Sequence, residues 1–301
     1  MPPVSDPNPT ASPAGADAVT VVIIHRNRPD AVGRTVAAFR DQTITTRVMV
    51  VDNGSTAETV AALPALVGDA TLVLARDNLG FGPGGNVGLR RFLHHDVGEW
   101  VALAPHDALP DPDTIEKMLA EVRERPEVGL MSADVGDGMR PVIDPYLGTI
   151  DAAPTVEEGF DVSDYPHGTL MMCRRACLDE IGIFDERYFA YCEESELAIR
   201  AARAGWGCGI VRGAMVRNPG MSASIERVAY LQLRNTLLML KEHYGRRNEW
   251  FRIVVALIQI PVGMVHVPSR GLHWSPRGRL KAIRDHLLGR YGPPPADVGG
   301  A

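Results

Sequence analysis

The sequence predicts an α/β fold organised around a doubly wound, mostly parallel sheet. Two observations carry that reading. From residue 19 to residue 133, short apolar runs rich in β-branched residues alternate with stretches of helical periodicity, the pattern of successive strand–helix units. The first run, VTVVII over residues 19–24, is apolar on both faces, as a central strand covered on both sides must be. Sheets of this kind bind ligands beyond the carboxyl ends of their strands, so function is sought in the turns that follow.

The first strand ends in HRNRPD, where Pro29 suits the first turn of a helix, and Val32, Val36 and Phe39 then recur at helical spacing. A second strand, RVMVV over 47–51, ends at Asp52 in VVDNGST. Ser55 and Glu58 have the spacing of a capping box, so a helix is expected to start there. The third strand, TLVL over 71–74, leads into RDNLGFGPGGNVGLRRFL, a glycine-rich loop followed by a helix. The fourth, EWVALA over 99–104, ends in PHDALPDPDTI. Asp111 with Pro112 behind it marks a helix start, and Ile115, Met118, Leu119 and Val122 give that helix an apolar face. VGLMSA over 128–133 is the fifth strand. Asp52, the loop over 78–86 and Asp107 sit at strand ends and are expected to meet in one cleft.

The glycine loop follows the third strand rather than the first, so it is not the dinucleotide fingerprint. No Gly-Lys-Ser/Thr closes it, so it is not a P-loop either. Its glycines either make a turn or let the backbone approach a sugar diphosphate closely.

With 301 residues, 45% hydrophobic and 23% charged, the chain has an ordinary globular composition and can bury a core. Its net charge of -6 argues against a general nucleic-acid binder. Cys173, Cys177, Cys192 and Cys208 lack the paired spacing of a zinc site and are expected as free, mostly buried thiols in a reducing cytosol. Residues 1–18 have no basic n-region and no apolar h-region; rich in Pro, Ala and Ser, they read as a disordered leader.

Residues 134–165 scatter Gly, Pro and Asp without a period and read as a long loop across the cleft mouth. Next comes HGTLMMCRRACLDEIGIFDERYFAYCEESELAIRAARAGW, over 167–206, the stretch around which the rest is organised. A buried apolar run at 169–173 is followed by a turn of helix that Gly182 ends. An aromatic patch of Phe184, Tyr188, Phe189 and Tyr191 then runs into Glu193, Glu194 and Glu196, at the start of a helix that stops at Gly205. Carboxylates at a helix start are favoured by its free N–H groups and its dipole. The alternative is that one of them, walled by aromatics and partly dried, serves as a general base.

Short strands are expected over 207–212 and 214–216, and an amphipathic helix over 226–243. An apolar segment over 251–267, broken by Gln259 and Pro261, reads as too short and interrupted for a membrane span. Arg270, Arg277, Arg279, Lys281, Arg284 and Arg290 follow, with Trp274 among them. Two readings stand: a basic tail lying on an anionic membrane surface, or a C-terminal helix packed on the domain with a solvated basic face.

VTVVIIHRNRPD, VVDNGST, NLGFGPGGNVG, the Asp after the fourth strand and GTLMMCRR…GIFDERYFAYCEESELAIR occur in the order seen in family-two glycosyltransferases. Over residues 19–235 the chain resembles the bacterial rhamnosyltransferase-like members. The resemblance implies a GT-A fold over 19–225, a Rossmann-like nucleotide-binding half joined to an acceptor-binding half, with a helical region and basic tail over 226–301. It implies inverting transfer of a sugar from a nucleoside diphosphate, UDP or dTDP, to an acceptor nucleophile, in cell-wall or natural-product glycosylation. Glu194 falls on the position of the family's catalytic base. Asp52 matches the residue that holds the base or ribose, with Asn27, Asn53 and Ser55 beside it on the donor side. Asn78, Gly80, Gly85 and Asn86 match the loop bordering the donor sugar and diphosphate, and His106 and Arg217 are placed with them. His167, Gly168, Tyr191, Glu193 and Glu196 are assigned to the acceptor cleft. Asp107 is the expected ligand of Mg²⁺ or Mn²⁺. Arg234–Asn235 resembles a late motif of the family and receives no role.

Single displacement at an anomeric carbon needs a base on one face and positive charge on the other, where the diphosphate leaves. A divalent ion shared by an aspartate and the diphosphate supplies that charge. Three departures bear on this. Pro105 replaces the first Asp of the family's Asp-X-Asp motif. Arg217 and Asn218 stand where many members have a metal-contacting His. The base is Glu194 rather than an aspartate.

The expected partners are a nucleoside-diphosphate sugar and an acceptor that is a glycan, a lipid-linked molecule or a small molecule; no nucleic acid is expected. Peripheral membrane contact through 251–290, at the inner face of the plasma membrane, and a homodimer stay open. The competing reading, favoured by the depleted metal motif, is a GT-A protein that binds nucleotide sugars with weak or no turnover. A nucleotidyltransferase on a related sheet is disfavoured by the carboxylate cluster.

Overall fold

A computed structural model describes residues 18–218, 223–270 and 273–299, so nearly all of the expected leader lies outside it. Strands β1 (Val19–His25), β2 (Thr46–Asn53), β3 (Thr71–Ala75) and β4 (Trp100–Pro105) pair in parallel in the order β3-β2-β1-β4. Helices α1 (Pro29–Arg40), α2 (Ala57–Val67) and α3 (Phe81–His95) connect them. Every residue of β1 is buried. Its alternating side chains feed two cores: Val19, Val21 and Ile23 pack with Val36 and Phe39 on one face, and Val22 and Ile24 with Leu89 and Phe92 on the other.

The chain continues through β5 (Leu109–Pro110), α4 (Thr114–Val122) and β6 (Val128–Asp134). The stretch expected as a long loop is instead a hairpin of β7 (Arg140–Asp144) and β8 (Gly148–Ala152), followed by β9 (Gly159–Val162), which pairs with a late strand. These strands are only four or five residues long and partly exposed, too short to leave a period in the sequence. β10 (Met171–Arg174) runs antiparallel between β4 and β6, and α5 (Arg175–Ile181) follows it. After α6 (Glu193–Arg203), β11 (Gly207–Arg217) lies parallel to β6 as one strand, not two; its register shifts between Val211 and Met215, around Gly213 at φ 82°. The whole sheet reads β3-β2-β1-β4-β10-β6-β11-β5, mostly parallel as expected.

Two helix starts move. Thr56, not Ser55, caps α2 by accepting from the Thr59 amide, and α4 begins at Thr114 after Asp113. All four cysteines are free and buried.

Three helices close the chain: α7 (Ile225–Tyr244), α8 (Arg246–Val265) and α9 (Pro276–Leu287). Tyr230, Leu237, Ile253 and Ile283 from them bury Phe189 of the carboxylate loop. The basic residues of the tail are largely engaged within the domain. Arg284 pairs with Asp285, Lys281 with Glu226 and Asp297, and Arg277 with Glu226, while Arg270 stacks on Trp274 at 4.4 Å. In α9, Arg277, Lys281 and Arg284 are thus paired with carboxylates of the domain, which favours the packed-helix reading of the tail. The apolar surface belongs to α8. This helix is 20 residues long, apolar enough by length and composition to cross a membrane, and longer than its sequence suggested because Pro261 is accommodated within it. It leaves Trp250, Phe251, Val254, Leu257 and Ile258 exposed.

Candidate active site

At the carboxyl end of β1, His25 is fully buried. Its Nε2 accepts from the Arg28 amide at 3.2 Å, so Nδ1 carries the proton and donates to Asp52 at 3.2 Å. Asp52 ends β2, and its other oxygen accepts from the Ser55 amide at 3.0 Å. Burial pushes this carboxyl up, but the bonds from His25 and Ser55 outweigh burial and leave it below its ordinary value. At 1% exposure Asp52 is turned into the fold, behind the turns at which a nucleobase or ribose is expected. The exposed surface at this end is built by Asn27, at φ 49°, whose amide donates to Ser55 Oγ and whose Oδ1 accepts from the Thr56 amide, both at 2.9 Å. Asn27 and Ser55 thus tie the two turns together in front of Asp52.

Asn53 organises the glycine segment. Its Nδ2 donates to the Gly80 carbonyl at 2.7 Å and its Oδ1 accepts from the Leu79 amide at 2.9 Å; Asn78 accepts from the Gly80 amide. The helix begins at Phe81, so most of the glycines are helical, and their missing side chains make room for protein rather than ligand. A Cβ on Gly80 would overlap the Phe189 carbonyl, one on Gly85 would press on Leu103, and one on Gly88 on Val22. Asn86 is fully buried and bonded at both ends of its amide to Phe184, donating to its carbonyl at 2.9 Å and accepting from its N–H at 3.0 Å. Asn86 and Gly85 therefore pack α3 against the sheet and the aromatic loop, a correction to their expected donor contact.

The carboxylates hang on a strained turn. Tyr191 and Cys192, immediately before α6, both have left-handed backbone, at φ 70° and 68°. Neither is Gly or Asn, and such conformations persist only where surrounding bonds impose them. Asn235, buried in α7, imposes them here by donating Nδ2 to the carbonyls of Ala190 at 2.9 Å and Tyr191 at 2.8 Å. Arg234 orients that amide through Nε to Asn235 Oδ1 at 3.2 Å, and itself donates to the Gly292 carbonyl at 2.7 Å. The late motif left without a role is thus the clamp of the carboxylate loop.

The three glutamates separate into three states. Glu196 is buried, accepts from Arg200 Nε and Nη2, and lies 3.2 Å from His243 Nε2. Burial opposes ionisation, but His243 and Arg200 outweigh it and hold this carboxyl below its ordinary value. It is a structural ion pair and does not line the cleft, correcting its acceptor assignment. Glu193 is 2% exposed, with Oε2 buried and unpartnered among the described residues; burial, then the neighbouring Glu194 charge, push it well up. Glu194 is half-buried and lines the cavity, and burial raises it to about 7. Burial thus disfavours ionisation of both adjacent carboxyls and leaves the pair poised to exchange a proton near neutrality; the apparent values belong to the pair.

The cavity before Glu194 measures about 600 Å³. His167, Gly168, Tyr191 and Glu193 line it together with Glu194, as expected, and so do Pro105 and Arg212. His167 is anchored by its amide to Ser132 Oγ at 2.9 Å, and burial lowers its ring below the ordinary histidine value. Arg212, missed in the sequence because it sits within an apolar strand, is bound by Asp161 at 2.8 Å. Residues of β7–β8 and their flanks also line the cavity, so the stretch expected at the cleft mouth does lie there.

On the donor side, His106 follows Pro105, and burial lowers its ring below the ordinary value. Asp107 comes next, half-buried in the turn after β4. Arg217 is 74% exposed at the side chain and paired with Asp111 at 2.9 Å, so it is a surface ion pair rather than a cleft residue. Part of the stretch beyond it, residues 219–222, lies outside the described residues. Among the described residues no cluster of three His, Cys, Asp or Glu side chains could hold a metal. One carboxylate does not fit a resident ion. It fits a hard cation that arrives with a diphosphate and draws its other ligands from phosphate oxygens and water.

A parallel sheet with acidic and amide-bearing turns at its strand ends, joined to a carboxylate loop under a C-terminal helical cap, defines the GT-A class of glycosyltransferases. The comparisons agree: the sequence pattern of the family described as Glycosyl transferase family 2 matches residues 20–182, and the chain belongs to that family. It is 26% identical over 276 residues to the N-acetylglucosaminyl-diphospho-decaprenol L-rhamnosyltransferase of Mycobacterium tuberculosis, covering 81% of this chain and 83% of that protein. Among solved structures it is similar to a mannosyltransferase from Pyrobaculum calidifontis in complex with GDP-Man and Mn²⁺ (TM-score 0.61, 17% identity, 93% of this chain and 90% of that one). It is also similar to GalNAc-T7 with UDP, GalNAc and Mn²⁺ (TM-score 0.64, 14% identity, 90% of this chain and 55% of that one).

Proposed function

We propose that this chain transfers a sugar from a nucleoside-diphosphate sugar to a hydroxyl of a lipid-linked acceptor, with inversion, and that Glu194 is the general base. The observation that carries the reading is the state of Glu194: a half-buried carboxyl raised to about 7 and facing a cavity, beside a second carboxyl whose ionisation deeper burial disfavours. In the reaction, Glu194 accepts the acceptor's O–H proton as that oxygen attacks the anomeric carbon. The bond from that carbon to the diphosphate breaks on the opposite face. Asp107 would hold a divalent cation brought with the donor, and that cation would supply countercharge to the leaving group. The tied turns at Asn27 and Ser55, backed by Asp52, receive the nucleoside. The clamp from Asn235 holds Glu194 in line with the reacting carbon.

The acceptor class is supported by the relative's name, which specifies a diphospho-decaprenol-linked sugar, and by the exposed apolar face of α8, which suits lying in a membrane surface. The deciding experiment is NMR of the product sugar formed with dTDP- and UDP-linked donors. A product of opposite anomeric configuration to the donor is expected, and retention overturns the mechanism. The lone Asp107 favours a second reading, a nucleotide-sugar-binding protein without turnover; donor binding with no release of nucleoside diphosphate would establish it.

A further inference from the structure

Beside α7 the Glu194 cavity adjoins a second, polar cavity of about 360 Å³; Asp151, Tyr165, Gln232 and His273 line both. Two guanidiniums reach the second cavity, Arg252 from α8 and Arg279 from α9. Each is held by one bond: Arg252 Nε donates to the Leu147 carbonyl at 2.9 Å, and Arg279 Nη1 to Gln259 Oε1 at 2.8 Å. Among the described residues their other donors have no hydrogen-bond partner. Arg252 Nη1 and His273 Nε2 are buried with no hydrogen-bond partner among the described residues. Neither arginine has a carboxylate within ion-pair distance among those residues, while Arg277, Lys281 and Arg284 of the same helical cap do. Asp151 is exposed and is the one carboxylate among the described residues of this wall. Burial, then the neighbouring Arg279 charge, lower the Arg252 guanidinium to about 10, and burial also lowers Arg279 and His273. Desolvated cations held near one another with unpaired donors are costly, and a multivalent oxyanion relieves both costs.

We infer that Arg252, Arg279 and His273 form a site for the diphosphate of the acceptor, separate from the donor's own diphosphate. The inference rests on the reading of Glu194 as the base that faces the acceptor. The site's walls come from the hairpin and the C-terminal helices, whereas Asp107 marks the donor's diphosphate at the end of β4. The exposed apolar residues of α8 flank Arg252, with Trp250 and Phe251 before it and Val254, Leu257 and Ile258 after it, so a hydrocarbon chain attached to the diphosphate has a surface to follow. Forked guanidiniums suit phosphate oxygens better than a point charge does.

The same chemistry is offered by a phospholipid headgroup, and calorimetry separates the two. Inorganic pyrophosphate is titrated into the full chain already saturated with nucleoside diphosphate and Mg²⁺, so that the donor site is filled. One further pyrophosphate per chain is expected. Arg279→Gln should weaken it about tenfold, the worth of one charge-assisted hydrogen bond. Arg252→Gln with Arg279→Gln should abolish it, with nucleoside diphosphate affinity unchanged, and the double lysine variant should recover part of it. Absence of pyrophosphate binding to the nucleotide-saturated wild type, or equal binding in Arg279→Gln, overturns the inference. So does a result in which the arginines matter only for pelleting with phosphatidylglycerol vesicles and not for pyrophosphate in solution, since the headgroup is then their ligand. Should nucleoside diphosphate itself fail to bind, the proposed function falls, while the pyrophosphate difference between wild type and Arg279→Gln still decides this site.

Discussion

The Glu194 carboxylate occupies the space that a side chain at position 168 would fill: a Cβ built on Gly168 overlaps Glu194 Oε1. The obstructed atom is the free end of a flexible side chain, so the protein relieves the overlap by swinging the carboxylate aside rather than by opening its core. Gly168→Ala is therefore expected to melt within a degree or two of the wild type, since few packed atoms need move. Turnover should fall about a hundredfold, the scale of a displacement of about 1 Å at a reacting centre. Circular dichroism melts beside turnover assays check both halves.

The two adjacent glutamates predict opposite responses. Burial and the neighbouring Glu194 charge push the Glu193 carboxyl well up, so Glu193→Gln puts a neutral group where ionisation is disfavoured and should keep the acid limb of the pH–rate profile near pH 7. Glu194 must lose its proton to act, so wild-type turnover should rise with pH through about 7. Stability runs the other way. Between the ordinary value of 4.5 and about 7 the folded chain holds a proton at Glu194 that the unfolded chain has released, so folding stability from this group falls as pH rises across that window. Denaturant titrations at pH 4.5 and pH 8 should show that fall, and Glu194→Gln should reduce it.

Asn235→Ala removes both donors that hold the left-handed turn at Tyr191 and Cys192. Two part-buried carbonyls lose their partners, and a loss of about 2 kcal/mol in unfolding free energy is expected. Turnover should fall further than stability explains, with donor affinity retained, because the freed loop carries Glu194. An equal fall in donor affinity would place Asn235 at the donor instead.

Much of this was legible in the sequence because it rests on local rules. The two-sided apolar run marked β1 as central, and the turns after the strands marked the end of the sheet where Phe81 and Pro105 line the cavity, though Asp52, Asn86 and Asp107 do not line it. The errors share one cause: a side chain's partner lies far away in the chain. Asn86 looks like a loop residue in NLGFGPGGNVG, yet its amide is spent on Phe184. Glu196 sits in the same acidic run as Glu194, yet faces Arg200 and His243 on the other side of the helix. Asn235 and Arg252 lie in ordinary amphipathic helices, and only the fold brings the one to the carboxylate loop and the other to the second cavity.

Metal binding should depend on the donor. With Asp107 as the one carboxylate in the turn between β4 and β5, Mg²⁺ or Mn²⁺ should bind the empty protein weakly and bind well once nucleoside diphosphate is present. Asp107→Asn should remove that donor-linked binding. Calorimetry with and without nucleotide measures it, and tight binding to the empty protein would contradict this account.

Glu194 as the base is tested most directly by nucleoside-diphosphate release from a bound sugar donor, measured for wild type and Glu194→Gln at saturating donor. A base acts in the transition state and not in donor binding, so release should slow by about a hundredfold or more in Glu194→Gln. Donor affinity should be unchanged. Near-normal release from Glu194→Gln, with release abolished in Glu193→Gln, would contradict the assignment.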